Sequence, residues 1–108
     1  MVREVDPSEI ARRLRTEPGR LLLLDVREGY ERDVARIDPS LHIPMSEVPD
    51  RLAEIDAERE VVVYCHTGVR SAMVAGFLEQ HGYRHVANLR GGVDAWSREV
   101  DPAVSRYG

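Results

Sequence analysis

The chain contains no lysine; its fifteen basic residues are all arginine. Chemistry through a lysine Schiff base is therefore excluded. There is one cysteine, Cys65, so neither an intrachain disulfide nor a cysteine-only metal site can form, and a reducing, cytoplasmic setting is the default. No long hydrophobic run exists. The most apolar stretch, Leu21 to Leu24, is far too short to span a bilayer, and the opening Met1-Val2-Arg3-Glu4 leads into charged residues instead of a secretory apolar segment. A formal net charge of −4 is mild and argues against nonspecific binding to nucleic acid. Repeats, low-complexity tracts and linkers are also missing. These absences leave a soluble cytoplasmic protein with no membrane or nucleic-acid partner as the expectation.

The residues present fit one domain. A chain of 108 residues can bury a core without disulfides or metals. Strand-like and helix-like segments alternate. Asp6-Pro7-Ser8-Glu9 predicts a helix start, with Asp6 as N-cap and Pro7 at the first helical position. Ile10, Ala11 and Leu14 continue it, and Pro18-Gly19 ends it. Leu21 to Leu24 predicts a strand buried on both faces, Glu28 to Val34 a short helix, and Leu41-His42-Ile43 a short strand closed by Pro44. Ser46-Glu47-Val48-Pro49 predicts a further helix, with Val48, Leu52 and Ile55 at helical spacing. Val61 to Tyr64 is the clearest strand, being β-branched, short and continuous. The helix after it, from Ser71 to Leu78, is apolar nearly all round and is expected to be buried, with Gly82 as its C′ residue. Val86 to Leu89 is a last strand. Gly91-Gly92 opens a helix through Ala95 and Trp96, and Asp101-Pro102 stops it. The last residues read as a short tail outside a core of about residues 3–100. Such alternation predicts an α/β architecture with a mainly parallel sheet covered on both faces.

The segment that carries chemistry is Cys65-His66-Thr67-Gly68-Val69-Arg70-Ser71, between the clearest strand and the buried helix. In open parallel sheets, ligands bind outside the carboxyl ends of strands. A loop entering a helix N-terminus presents backbone N–H groups in a concave nest that favours a thiolate. Gly68 permits the positive φ that so tight a turn needs. Arg70 adds a planar guanidinium suited to an oxyanion, and Ser71 has a hydroxyl to donate to the sulfur. Taken alone, an unpaired cysteine is more often an inert core residue. Strand, Cys, Gly, Arg and helix in this order favour a nucleophile, with Cys65 and Arg70 as catalytic residues and His66, Thr67, Gly68, Val69 and Ser71 forming the binding loop.

This loop, Cys65-x-x-Gly68-x-Arg70-Ser71, resembles the active-site loop of rhodanese-like domains. Leu24-Asp25-Val26-Arg27-Glu28 resembles the Asp-x-Arg segment of that family, Ile43-Pro44 its Ile-Pro element, and Gly91-Gly92-Val93-Asp94-Ala95-Trp96 its Gly-Gly-x-x-Ala-Trp segment. The resemblance implies a three-layer α/β/α rhodanese-like domain with a five-stranded sheet. It also implies sulfane-sulfur transfer, from thiosulfate or a persulfide donor to a thiol or cyanide, through a persulfide on Cys65. No cofactor or metal is expected. The implied partners are a small-molecule sulfur donor, a thiol acceptor and a sulfur-accepting protein, because a chain with one cysteine cannot resolve the persulfide internally. Where the family usually carries Gly-His-Ile, this chain has Ala35-Arg36-Ile37, so no role attached to that histidine carries over. Since Arg70 is the loop's only fixed side-chain cation, modest affinity for thiosulfate and a better fit to a persulfide are expected.

Two alternatives stay open. One is a noncatalytic sulfur carrier or docking module. The other is a cysteine-dependent phosphatase or arsenate reductase. Phosphatases of related fold have five residues between Cys and Arg, whereas four separate Cys65 from Arg70, which makes a narrower cradle. Of the remaining residues, Asp25 is expected to pair with Arg27 or cap nearby backbone, Trp96 to pack in the core or at its edge, and His42, His81 and His85 to be structural or surface residues without ligand spacing.

Overall fold

The computed structural model describes residues 2–108. Five strands form one sheet in the order β1-β5-β4-β2-β3, where β1 is Arg3–Val5, β2 Leu21–Asp25, β3 Leu41–His42, β4 Glu60–Tyr64 and β5 Val86–Leu89. Every pairing is parallel. The helices are α1 (Pro7–Thr16), α2 (Gly29–Val34), α3 (Val69–Gln80) and α4 (Gly92–Glu99). The α/β class and the five-stranded sheet are as expected. None of these helices is long and apolar enough to cross a membrane.

β4 lies at the centre because its sequence suits burial on both faces. Val61, Val62, Val63 and Tyr64 are all fully buried, and burying each valine is worth roughly 1.5–3 kcal/mol. The two-residue period of a strand sends alternate side chains to opposite layers. Val62 and Tyr64 meet Ile10 of α1 and Val93 and Trp96 of α4 in one cluster. Val61, Val63 and Cys65 meet Val74, Ala75 and Leu78 of α3, with Val48 and Ile55, in the other. Trp96 is thus a core residue, as expected.

Three local expectations change. The segment from Ser46 is not an α-helix but two 3₁₀ turns, Met45–Asp50 and Leu52–Glu54. Pro49 lacks an N–H and restricts the residue before it, so an α-helical ladder cannot run through. Val48 and Ile55 are buried all the same, because their spacing also serves the turns. Asp6 sits at the N-cap of α1 with Pro7 following, yet its carboxylate makes no cap; it accepts from Arg90 Nε at 2.6 Å. Finally, residues beyond 100 fold back onto the domain. Val104 and Tyr107 pack against the first cluster, and Ser97 Oγ donates to the Val104 carbonyl at 2.5 Å.

The chain leaves β2 for the edge strand β3, returns across β2 to β4, and continues outward to β5. The direction of travel therefore reverses between β2 and β4. A crevice opens at the carboxyl ends of the strands at such a point. Cys65 follows β4 there, and Val26-Arg27 follows β2.

Candidate active site

The loop from Cys65 to Ser71 closes around the cysteine sulfur. Cys65 is 1% exposed, and its Sγ accepts from Gly68 N–H at 3.2 Å, Ser71 N–H at 3.4 Å and Ser71 Oγ at 3.3 Å. Gly68 makes this possible with φ of +104° at the N-cap of α3, a conformation side chains resist. The sulfur thus faces donors at a helix N-terminus, which favours negative charge there.

A second glycine-bearing turn props the loop from below. Val93 N–H donates to the Cys65 carbonyl at 2.9 Å and Asp94 N–H to the His66 carbonyl at 3.1 Å. Gly92 must lack a side chain for this contact. A Cβ there would sit 2.5 Å from the His66 carbonyl oxygen and closer still to that of Cys65. The Gly-Gly segment of the sequence is therefore part of the site's scaffold.

Asn88, at the end of β5 and 2% exposed, ties the loop sideways. Its amide nitrogen donates to the Gly68 carbonyl at 3.1 Å and to Glu4 Oε2 at 3.0 Å, while its Oδ1 accepts from Ser71 Oγ at 2.5 Å. Ser71 has one hydroxyl proton, shared between Asn88 Oδ1 and Cys65 Sγ. A polar residue inside the apolar run Val86-Ala87-Asn88-Leu89 was the sequence signal for this partner, since a buried amide must find bonds.

Arg70 is not a bare charge. Its guanidinium grips Glu31 with both ends, Nη1 to Oε1 at 2.7 Å and Nη2 to Oε2 at 2.8 Å. Those bonds, above all, hold the Glu31 carboxyl down at about 2 against the opposing effect of burial. The same bonds to Glu31 hold Arg70 protonated against the opposing effect of burial. Tyr107 completes the mouth. Its hydroxyl donates to Glu31 Oε2 at 2.9 Å and accepts from Arg27 Nη1 at 2.9 Å, and its ring stacks on His66 with centroids 4.0 Å apart. Burial pushes the Tyr107 hydroxyl up to about 12, so it remains a donor at neutral pH. Of the other loop residues, Thr67 and Val69 form the exposed rim, Val69 being 70% exposed. The His66 ring lies against that of Tyr107.

Behind this mouth, Asp25 pairs with Arg27 as expected. Nε meets Oδ1 at 2.9 Å and Nη2 meets Oδ2 at 2.8 Å. Arg27 Nη2 also reaches the Ala35 carbonyl at 2.6 Å. Ala35 thus serves the site through its backbone. Burial works to raise the Asp25 carboxyl, but the Arg27 bonds outweigh it and hold it below the usual range. Glu31, Asn88 and Tyr107 were not among the site residues expected from sequence.

A buried cysteine cradled by amides at the carboxyl end of a central parallel strand, with an arginine one turn on, defines a cysteine-loop α/β domain. The chain belongs to the rhodanese-like domain family, whose profile matches residues 6–99. It is 40% identical over 108 residues, all of both chains, to a protein of Allochromatium vinosum named sulfurtransferase. Among solved structures it resembles a rhodanese-related protein from Thermoplasma volcanium, with TM-score 0.84 and 28% identity over 97% of this chain and 99% of that one. It also resembles a rhodanese-like domain protein from Staphylococcus aureus, with TM-score 0.83 and 28% identity over 99% of this chain and 100% of that one. These relationships support sulfur transfer as the general chemistry.

Proposed function

We propose that the protein is a sulfurtransferase that carries sulfane sulfur as a persulfide on Cys65. The observation that carries this reading is the cradle on Cys65 Sγ: Gly68 N–H, Ser71 N–H and the Ser71 hydroxyl it shares with Asn88 Oδ1. Two backbone donors and a shared hydroxyl aimed at one sulfur stabilise a thiolate nucleophile. That thiolate attacks the outer sulfur of thiosulfate or a persulfide, and sulfite or a thiol leaves. Loop amides and Arg70 then stabilise the charge on the new outer sulfur. An acceptor thiolate or cyanide removes that sulfur and regenerates Cys65. Because the chain has no second thiol, the acceptor is an external thiol or a partner protein. A phosphatase or arsenate reductase is disfavoured on two grounds: the four-residue Cys–Arg spacing, and the prior engagement of Arg70 by Glu31.

The test is intact mass of the reduced protein after mixing with thiosulfate or with glutathione persulfide. A gain of one reducible sulfur is expected, and none in Cys65→Ser. No gain from either donor would reject sulfur transfer. Persulfide formation with negligible cyanide turnover would instead identify a carrier that loads but does not turn over.

A further inference from the structure

The mouth of the site holds a carboxylate that sulfur transfer does not need. Glu31 projects from α2 and is 7% exposed in its side chain, against 33% for Arg70. It is fixed by four bonds. Besides the two from Arg70, its Oε1 accepts from Glu28 N–H at 3.2 Å and its Oε2 from Tyr107 at 2.9 Å. The fork that Arg70 presents is the feature by which arginine binds an oxyanion, two parallel N–H groups matched to two oxygens. Here an internal carboxylate already fills it.

The depression around this pair has a volume of about 390 Å³ and is lined by Tyr30, Glu31, His66, Arg70, Tyr107 and Gly108. Among the lining side chains, the Arg70 guanidinium is matched by the Glu31 carboxylate. A dianion entering the depression must displace a carboxylate that Tyr107 and Glu28 continue to hold, or approach it closely. The stacked rings of His66 and Tyr107 meanwhile offer a flat wall to carbon-bearing groups. Tyr107 is itself anchored from beneath by the buried Arg27.

We infer that Glu31, latched by Tyr107, is a specificity-determining residue that selects organic persulfides over thiosulfate as the sulfur donor. This inference rests on the reading of Cys65 as the sulfur carrier. The favoured step is attack of the Cys65 thiolate on the outer sulfur of R–S–SH. The new Sγ–S bond forms as the R–S to S bond breaks, and the outer sulfur's proton passes to the departing thiolate. The products are the Cys65 persulfide anion and R–SH. With thiosulfate, the same attack expels sulfite, whose two negative charges must leave past Glu31.

The test measures rates of Cys65 persulfide formation, by rapid quench and intact mass, against concentration of thiosulfate and of glutathione persulfide. Wild type, Glu31→Gln and Tyr107→Phe are compared. Glutamine keeps the shape, and its one carbonyl oxygen still accepts from Arg70 Nη1 and Glu28 N–H, but the negative charge and the acceptor for Arg70 Nη2 and Tyr107 are removed. In Glu31→Gln, the ratio of half-saturating thiosulfate to half-saturating glutathione persulfide is expected to fall at least fivefold. Tyr107→Phe, which unlatches one carboxylate oxygen, is expected to shift the ratio the same way by a smaller factor. A purely structural role would move both donors together. An unchanged ratio in Glu31→Gln, or equal changes for both donors, overturns the inference while leaving sulfur transfer intact. Failure of the underlying reading looks different: wild type itself then gains no sulfur from either donor, and the assignment to Glu31 falls with it.

Discussion

Arg27 and Arg70 are each gripped at both ends by a carboxylate, and they do different things. Arg27 and Asp25 both have fully buried side chains. Beyond Asp25, Arg27 donates to the Ala35 carbonyl and to Tyr107, and it lies 5.4 Å from the Tyr64 ring centre. Asp25 has a second arginine, Arg32, at 3.0 Å. Among the described residues Arg70 has Glu31 as its one acidic partner, and a third of its side chain meets solvent. The same bidentate geometry is therefore a structural knot in one place and an adjustable part of the mouth in the other. The number of further bonds and the access of water separate them. A buried pair is not strongly stabilising compared with an apolar filling, but breaking it strands a charge. A pair at the surface is screened and worth little.

The largest effect should come from breaking the buried pair. Arg27→Met leaves Asp25 with Arg32 and the backbone N–H of residue 27, and leaves the Ala35 carbonyl without its arginine donor. A loss of about 3–5 kcal/mol is expected, read as a lowered urea midpoint at constant slope. A loss under about 1 kcal/mol would mean that Arg27 is no knot, and that the contrast with Arg70 is false.

This contrast also marks how far the sequence could be read. The strands Leu21–Asp25 and Glu60–Tyr64 were legible because continuous apolar, β-branched runs have few other folds available. Cys65 and its loop were legible because a strand, a glycine at positive φ and a helix N-terminus occur in fixed order along the chain. The pairing of Asp25 with Arg27 was legible because the two are neighbours. β1 was not, since Arg3–Val5 has three residues and only Val5 is buried. The partners of Arg70 were hidden for a different reason. Glu31 lies 39 residues away, and Tyr107 lies 76 residues from Glu31 in a segment without periodicity. Contacts so distant in sequence leave no local pattern. Only the Glu28-x-x-Glu31 spacing before a short helix hinted at Glu31, and it hinted at a cap, which Glu31 Oε1 does provide to Glu28 N–H.

Acid should separate the two pairs next. Glu31 sits at about 2 in the folded protein against 4.5 as a free side chain. Its folded value is depressed, so its contribution is complete above pH 4.5 and is lost as pH falls toward 2. Because a third of the Arg70 side chain meets water, the extent is discounted to about 1–2 kcal/mol, shared with the Tyr107 and Glu28 bonds. Asp25 is depressed too, so wild-type stability should fall through the same range for both reasons. Glu31→Gln isolates one of them. Its stability should decline less steeply between about pH 5 and about pH 2, measured by urea unfolding at each pH. Parallel curves for wild type and variant would show that the Glu31–Arg70 pair adds nothing to folding.

The smallest expected change in stability belongs to Arg70. Arg70→Met leaves Glu31 its bonds from Tyr107 and Glu28, and the pair it breaks is partly open to water, so a loss of about 1 kcal/mol or less is expected. Sulfur transfer should respond far more. The guanidinium is a charge felt by the Cys65 sulfur, and its removal leaves Glu31 uncompensated at the mouth. A charge-assisted contact of about 1.5–3 kcal/mol corresponds to a fall of roughly tenfold to a hundredfold in kcat/KM for thiosulfate. Small loss of stability with large loss of turnover would set Arg70 apart from Arg27, whose removal should cost stability first. Loss of stability at Arg70 as large as at Arg27 would instead make both pairs knots, and the mouth would have no adjustable part.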